Sequence, residues 1–97
     1  MKILVVGATG KTGELAWRKA VAEGHDVTVF GRSVAKRYKD DPVRKMQGDV
    51  LDRSAVTAAI AGQDAVLVCL EPVNSRDRVT LTQGARNICQ VMRAEGV

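Results

Sequence analysis

The 97 residues carry a formal net charge of +4, with 45% hydrophobic and 27% charged residues, which suffices for one domain with a modest core. Two cysteines and one histidine supply neither a disulfide framework nor a metal cluster, and the lack of a signal peptide or membrane-length apolar run points to a reducing cytoplasm. The basic residues are scattered and only Trp17, Phe30 and Tyr38 are aromatic, so the charge suits an anionic small molecule better than a nucleic acid.

Ile3, Leu4, Val5 and Val6 form an unbroken apolar run, the pattern of a strand covered on both faces in a parallel sheet. Gly7, Gly10 and Gly13 follow at three-residue spacing. After Thr12 an amphipathic helix is predicted, with Gly13, Trp17, Ala20 and Val21 on one face and Gly24 as its C-terminal cap. A glycine pattern alone also occurs in loops that bind nothing; the strand before it and the helix after it make it a phosphate cradle. In a dinucleotide-binding βαβ unit, Gly7 would permit the tight turn, Gly10 the approach of a pyrophosphate, and Gly13 close packing of helix on strand. The anion would rest on open amides at the helix N-terminus. A P-loop is disfavoured, because Gly10-Lys11-Thr12 would require a glycine where Val5 stands.

His25 to Phe30 reads as the second strand, followed by Gly31, Arg32 and Ser33. In such a fold the adenosine ribose lies at the end of this strand. An acid there would accept hydrogen bonds from the ribose of NAD; the chain has none and offers Arg32, which favours the 2′-phosphate of NADP. Lys36 and Arg37, on a short helix after Ser33, would add charge to that phosphate or remain solvated surface charges. Ser33 to Pro42 is the most irregular stretch, with its charged residues expected to face solvent. It would fold over the adenosine end as a mobile cover.

A third strand is predicted from Val43 to Gln47, then a turn at Gly48 and Asp49, then a helix capped by Asp52 and bearing Ala55, Val56, Ala59 and Ile60. Asp49 would either stabilise the turn or, with the Val50 amide, meet an adenine edge. Ala65 to Leu70 reads as a fourth, fully apolar strand, and Glu71 to Asn74 as a turn whose carboxylate is unfavourable beside phosphates. The last helix would turn Leu81, Ala85, Ile88, Cys89 and Met92 inward and end at Gly96. Cys69 and Cys89 are expected in the core.

The spacing GxxGxxG resembles that of the atypical and extended short-chain dehydrogenase/reductase families. Taken with Arg32, GDVLD (48–52), AGQDAVLV (61–68) and QGARNICQVMRAEGV (83–97), nearly the whole chain resembles the N-terminal half of the NADPH-dependent biliverdin and flavin reductases. NmrA-like and nucleotide-sugar-epimerase-like proteins share the general pattern. The resemblance implies that Gly7, Thr9, Gly10, Lys11, Thr12 and Gly13 line a pyrophosphate, Arg32 and Lys36 a 2′-phosphate, Asp49 and Val50 an adenine, and that Leu70 lies near the nicotinamide-side ribose. It also implies hydride transfer from NADPH to a conjugated acceptor such as a flavin or a tetrapyrrole. The alternatives are an NADP-binding redox sensor without catalysis and a half-domain without turnover.

The expected fold is therefore α/β: a Rossmann-type parallel sheet in the order 3-2-1-4 with flanking helices, a single domain over residues 1–97. A fifth strand would be expected after Gly96, and in the resembled family the substrate side lies beyond it. No Tyr-x-x-x-Lys pair can form, since Tyr38 is the only tyrosine and Pro42 stands four residues on, so no catalytic residue is named. An exposed fourth-strand edge would invite self-association.

Overall fold

A computed structural model describes residues 1–70 and 77–97, and of Asp77 and Arg78 the backbone only. The predicted turn at Glu71 to Asn74 lies outside the described residues. Four strands, β1 (Lys2–Val6), β2 (Asp26–Gly31), β3 (Arg44–Gln47) and β4 (Ala65–Val68), form one sheet in the order β3-β2-β1-β4. All three pairings are parallel, with Val5 opposite Val29 on one side and Leu67 on the other. The helices are α1 (Lys11–Ala22), α2 (Val34–Arg37), α3 (Arg53–Ile60) and α4 (Asp77–Glu95).

The apolar run of β1 is continuous because both faces of the sheet are covered. Alternation of side chains sends Ile3 and Val5, with Val27 and Val29, into one core layer against Trp17 and Ala20 of α1 and Val34 of α2. Leu4, Val6 and Phe30 enter the opposite layer with Val56, Ala59 and Ile60 of α3 and Ile88 and Val91 of α4. Strand order reverses between β1 and β4, so the C-terminal ends of the strands open a crevice at a topological switch point. Among the described residues no helix is long and apolar enough to cross a membrane.

Asp52 caps α3 as expected, its carboxylate accepting from the amides of Ser54 at 3.1 Å and Ala55 at 3.3 Å. Gly24 and Gly96 follow α1 and α4 with φ of 89° and 72°, the left-handed geometry that ends a helix without steric cost. Four expectations need correction. Val21 is 45% exposed, because Gly13, Trp17 and Ala20 alone form the buried stripe of α1. β4 stops at Val68, and Leu67 and Val68 are exposed, because β4 pairs only with β1 among the described residues.

On α4, Ala85 and Cys89 face solvent while Gly84, Ile88 and Val91 are buried; the inward face is turned from the expected one by the close seat of Gly84. Cys69 is half-buried against the core, and no disulfide joins it to Cys89. Finally, the stretch 33–42, irregular in sequence, docks against α1. Val34 and Tyr38 are buried, and Arg37 and Asp41 form ion pairs with Glu14 and Arg18 of α1.

The β1–α1 junction is packed backbone to backbone. A Cβ built on Gly13 would fall on the carbonyl oxygen of Gly7 and lie 3.0 Å from Ala8 Cα. Gly13→Ala should therefore force helix and strand apart and destabilise the fold by about 1–3 kcal/mol, measured as a lowered urea midpoint at unchanged slope.

Candidate functional site

Gly7 leaves β1 with φ of 80°, and a Cβ there would lie 2.6 Å from the carbonyl oxygen of Cys69. Both facts require glycine, and together they bring the ends of β1 and β4 into contact. Gly10 precedes α1 in an extended conformation, with φ of −75° and ψ of 166°, and supplies no side-chain cap. The first-turn amides of α1 therefore keep their capacity for an anion, reinforced by the helix dipole. A Cβ on Gly10 would meet only Gly7 O, at 3.8 Å, so the space above this residue is open.

Three further segments complete the crevice. Gly31 and Arg32 follow β2; Arg32 is exposed and enters no ion pair among the described residues. The turn after β3 is held by Asp49, whose carboxylate accepts the Leu51 amide at 2.9 Å and whose carbonyl accepts that of Asp52 at 2.9 Å. Helix α4 supports this turn from the sheet's second layer. Asn87 Nδ2 donates to the Val50 carbonyl at 3.0 Å, and a Cβ on Gly84 would lie 2.6 Å from Val50 Cγ2.

These segments enclose a cleft of about 450 Å³. Gly7, Thr9, Gly10, Arg32, Asp49, Val50 and Leu70 line it together. Lys11, Thr12 and Gly13 lie in the first turn of α1 and do not line the cleft by themselves; Gly13 is buried against Gly7. Lys36 lies apart, in a second depression of about 620 Å³ that it shares with Ser33 and the ion-paired Glu14, Arg18, Arg37 and Asp41. Cleft-lining Phe30, Gly48 and Thr80 escaped the sequence reading, and Leu81, read as a core residue, lines the cleft as well. Phe30 carried a signal as the last apolar residue of its strand; Thr80 carried none, since only tertiary packing brings the start of α4 here.

Tyr38 was also missed. Its ring is buried edge-on to Trp17, with centroids 4.9 Å apart, and its hydroxyl donates to the Ala8 carbonyl at 2.6 Å within the glycine turn. Arg18 lies over the Trp17 ring at 4.3 Å and pairs with Glu14 at 2.9 Å and Asp41 at 3.2 Å. The Arg18 hydrogen bond, helped by Arg37 and Tyr38 and opposed by burial, holds the Glu14 carboxyl below the usual glutamate range.

The family model described as NAD(P)H-binding matches residues 7–97, from the first glycine of the turn to the last residue. The chain belongs to this NAD(P)H-binding family. It is 42% identical over 66 residues to a 2-alkyl-3-oxoalkanoate reductase of Stenotrophomonas maltophilia (strain K279a), an alignment covering 68% of this chain and 20% of that protein. A short-chain dehydrogenase/reductase superfamily protein from Agrobacterium tumefaciens, solved with bound NAD, superposes on all of the chain with a TM-score of 0.80 at 25% identity.

The anaerobillin reductase ChuY from Escherichia coli O157:H7 shares the fold, with a TM-score of 0.80 at 24% identity over the whole chain. The chain spans 30% of the Agrobacterium protein and 47% of ChuY. The Rossmann-type expectation for the sheet therefore agrees with both the topology and these neighbours. An NAD(P)H-binding unit also accounts for a cleft whose open space coincides with the missing Cβ of Gly10.

Two outcomes follow from this geometry. Gly10→Val should leave the melting temperature within a few degrees of the parent, since its backbone angles suit any residue, yet abolish nicotinamide-dinucleotide binding in calorimetry by filling the cradle. Glu14→Gln should flatten the acid limb of stability. Because the folded-state pKa of Glu14 is depressed, its ion pairs contribute fully above the unfolded-state value and are lost as pH falls through the lower folded one. The difference in melting temperature between parent and variant should thus shrink between pH 6 and pH 3.

Proposed function

We propose that this chain is the cofactor-binding unit of an NADPH-dependent reductase of the biliverdin and flavin reductase type, acting on a conjugated acceptor such as a flavin or a tetrapyrrole. One observation carries the reading: the glycine turn and Arg32 at the end of β2, which enters no ion pair among the described residues, line one cleft, and no acid stands at the end of β2. The reductase names of the relatives from Stenotrophomonas maltophilia and Escherichia coli support the class of activity.

Each part of the cleft suits one part of the dinucleotide. The amides of Thr9 to Gly13 would hold the pyrophosphate at the N-terminus of α1, where the dipole favours negative charge. Arg32 would take the 2′-phosphate, since its fixed fork of donors matches phosphate oxygens. Lys36, one helical turn beyond Ser33, would add long-range attraction. Asp49 already accepts the Leu51 amide, so its turn is preformed, and its remaining oxygen with the Val50 amide would meet the adenine edge. Leu70 would lie beside the nicotinamide-side ribose.

Bound NADPH would supply the hydride, two electrons delivered to the acceptor, and a proton from solvent would complete the reduction. The role of this chain is to bind and orient. Tyr38 does not serve as a proton donor, because its hydroxyl is buried on the Ala8 carbonyl and no lysine stands four residues later.

Calorimetric titration of the chain with NADP and with NAD, at one ionic strength, tests the cofactor assignment. NADP should bind more tightly, and Arg32→Ala should weaken it by about 1.5–3 kcal/mol, roughly 10- to 150-fold, with NAD unchanged within twofold. Equal losses for the two cofactors would remove Arg32 from the 2′-phosphate.

A further inference from the structure

We infer that Tyr38 is a positioning residue for the phosphate-binding turn, fixing the orientation of the Ala8–Thr9 peptide through its hydrogen bond to the Ala8 carbonyl. This rests on the reading of the cleft as a dinucleotide site. A trans peptide is planar, with its C=O and N–H pointing in opposite directions. Pinning the carbonyl of Ala8 at 2.6 Å therefore also fixes the amide of Thr9, a residue that lines the cleft. If that peptide turned over, the partial negative charge of the carbonyl would face an incoming phosphate in place of a donor.

The brace is built to be rigid. Tyr38 is 2% exposed, packs edge-on against Trp17 and closes α2 through its own amide, which donates to Val34 O at 2.9 Å. Its hydroxyl also lies 3.2 Å from Glu14 Oε1, and Arg18 and Arg37 neutralise that carboxylate close to the anion cradle. The helix that Tyr38 closes begins directly after Arg32 and Ser33. One short segment thus presents a cation at one end and orients the phosphate turn at the other.

Tyr38→Phe keeps the ring and removes only the hydroxyl. It should be compared with the parent chain by titration with NADP and with adenosine 2′-monophosphate, which lacks the pyrophosphate. The parent is expected to bind both. The variant should lose about tenfold in NADP affinity, while adenosine 2′-monophosphate stays within twofold and the far-ultraviolet circular dichroism is unchanged. Glu14→Gln, which leaves the Tyr38–Ala8 bond in place, should bind NADP as the parent does at pH 7. Parent-like NADP binding by Tyr38→Phe, equal losses for both ligands, or an equal NADP loss in Glu14→Gln would each overturn the positioning role while leaving the cofactor site standing. Failure of the parent chain to bind NADP would instead overturn the reading of the cleft, and this role with it. Should Tyr38→Phe not fold, hydrogen exchange in the parent decides: a Thr9 amide protected by NADP and not by adenosine 2′-monophosphate supports the role, and equal protection refutes it.

Discussion

The closest constraint in this molecule is the meeting of three backbones at Gly7. The residue turns with positive φ out of β1, lies under the Cys69 carbonyl at the end of β4, and receives Gly13 of α1 against its own carbonyl. No side chain fits between these segments. The helix must therefore start where the strand ends, with its N-terminal amides beside the crevice at the switch point. The position of the uncapped N-terminus of α1 is thus a consequence of how tightly sheet and helix pack.

Charge is distributed around that junction in two ways. Glu14, Arg18, Arg37 and Asp41 neutralise one another over the Trp17–Tyr38 pair, holding the segment after β2 against α1. Such exposed pairs are individually weak, and the buried rings carry most of the attachment. Arg32 takes no part in this network and lines the cleft. On the opposite layer Asn87 and Gly84 of α4 fix the Asp49-Val50 turn, so each side of the cleft is backed by a helix.

Much of this was legible before any tertiary structure. The run Ile3 to Val6, the three glycines and the Asp52 cap each have a local physical signature, and the order 3-2-1-4 is that of the Rossmann-type unit these signatures point to. The glycine turn, Arg32, Asp49, Val50 and Leu70 sit at strand ends, which is why one crevice gathers them. The segment 33–42 misled because its composition is polar while its contacts are made by single residues, Val34 and Tyr38, that have no period to read. On α4, Cys89 looked like an inward residue by hydrophobicity, but the need to seat Gly84 against Val50 turns that face outward.

By itself, the sequence determined the elements whose cause is local: apolar strands covered on both faces, a strand-to-helix turn marked by its glycines, a carboxylate cap, and helix ends closed by glycine. Tertiary structure alone decided what depends on residues far apart in the chain. Tyr38 reaches Ala8 across thirty positions and Asn87 reaches Val50 across thirty-seven. A hydrogen bond between distant residues leaves no periodicity in either segment, because its geometry is set by how the layers dock.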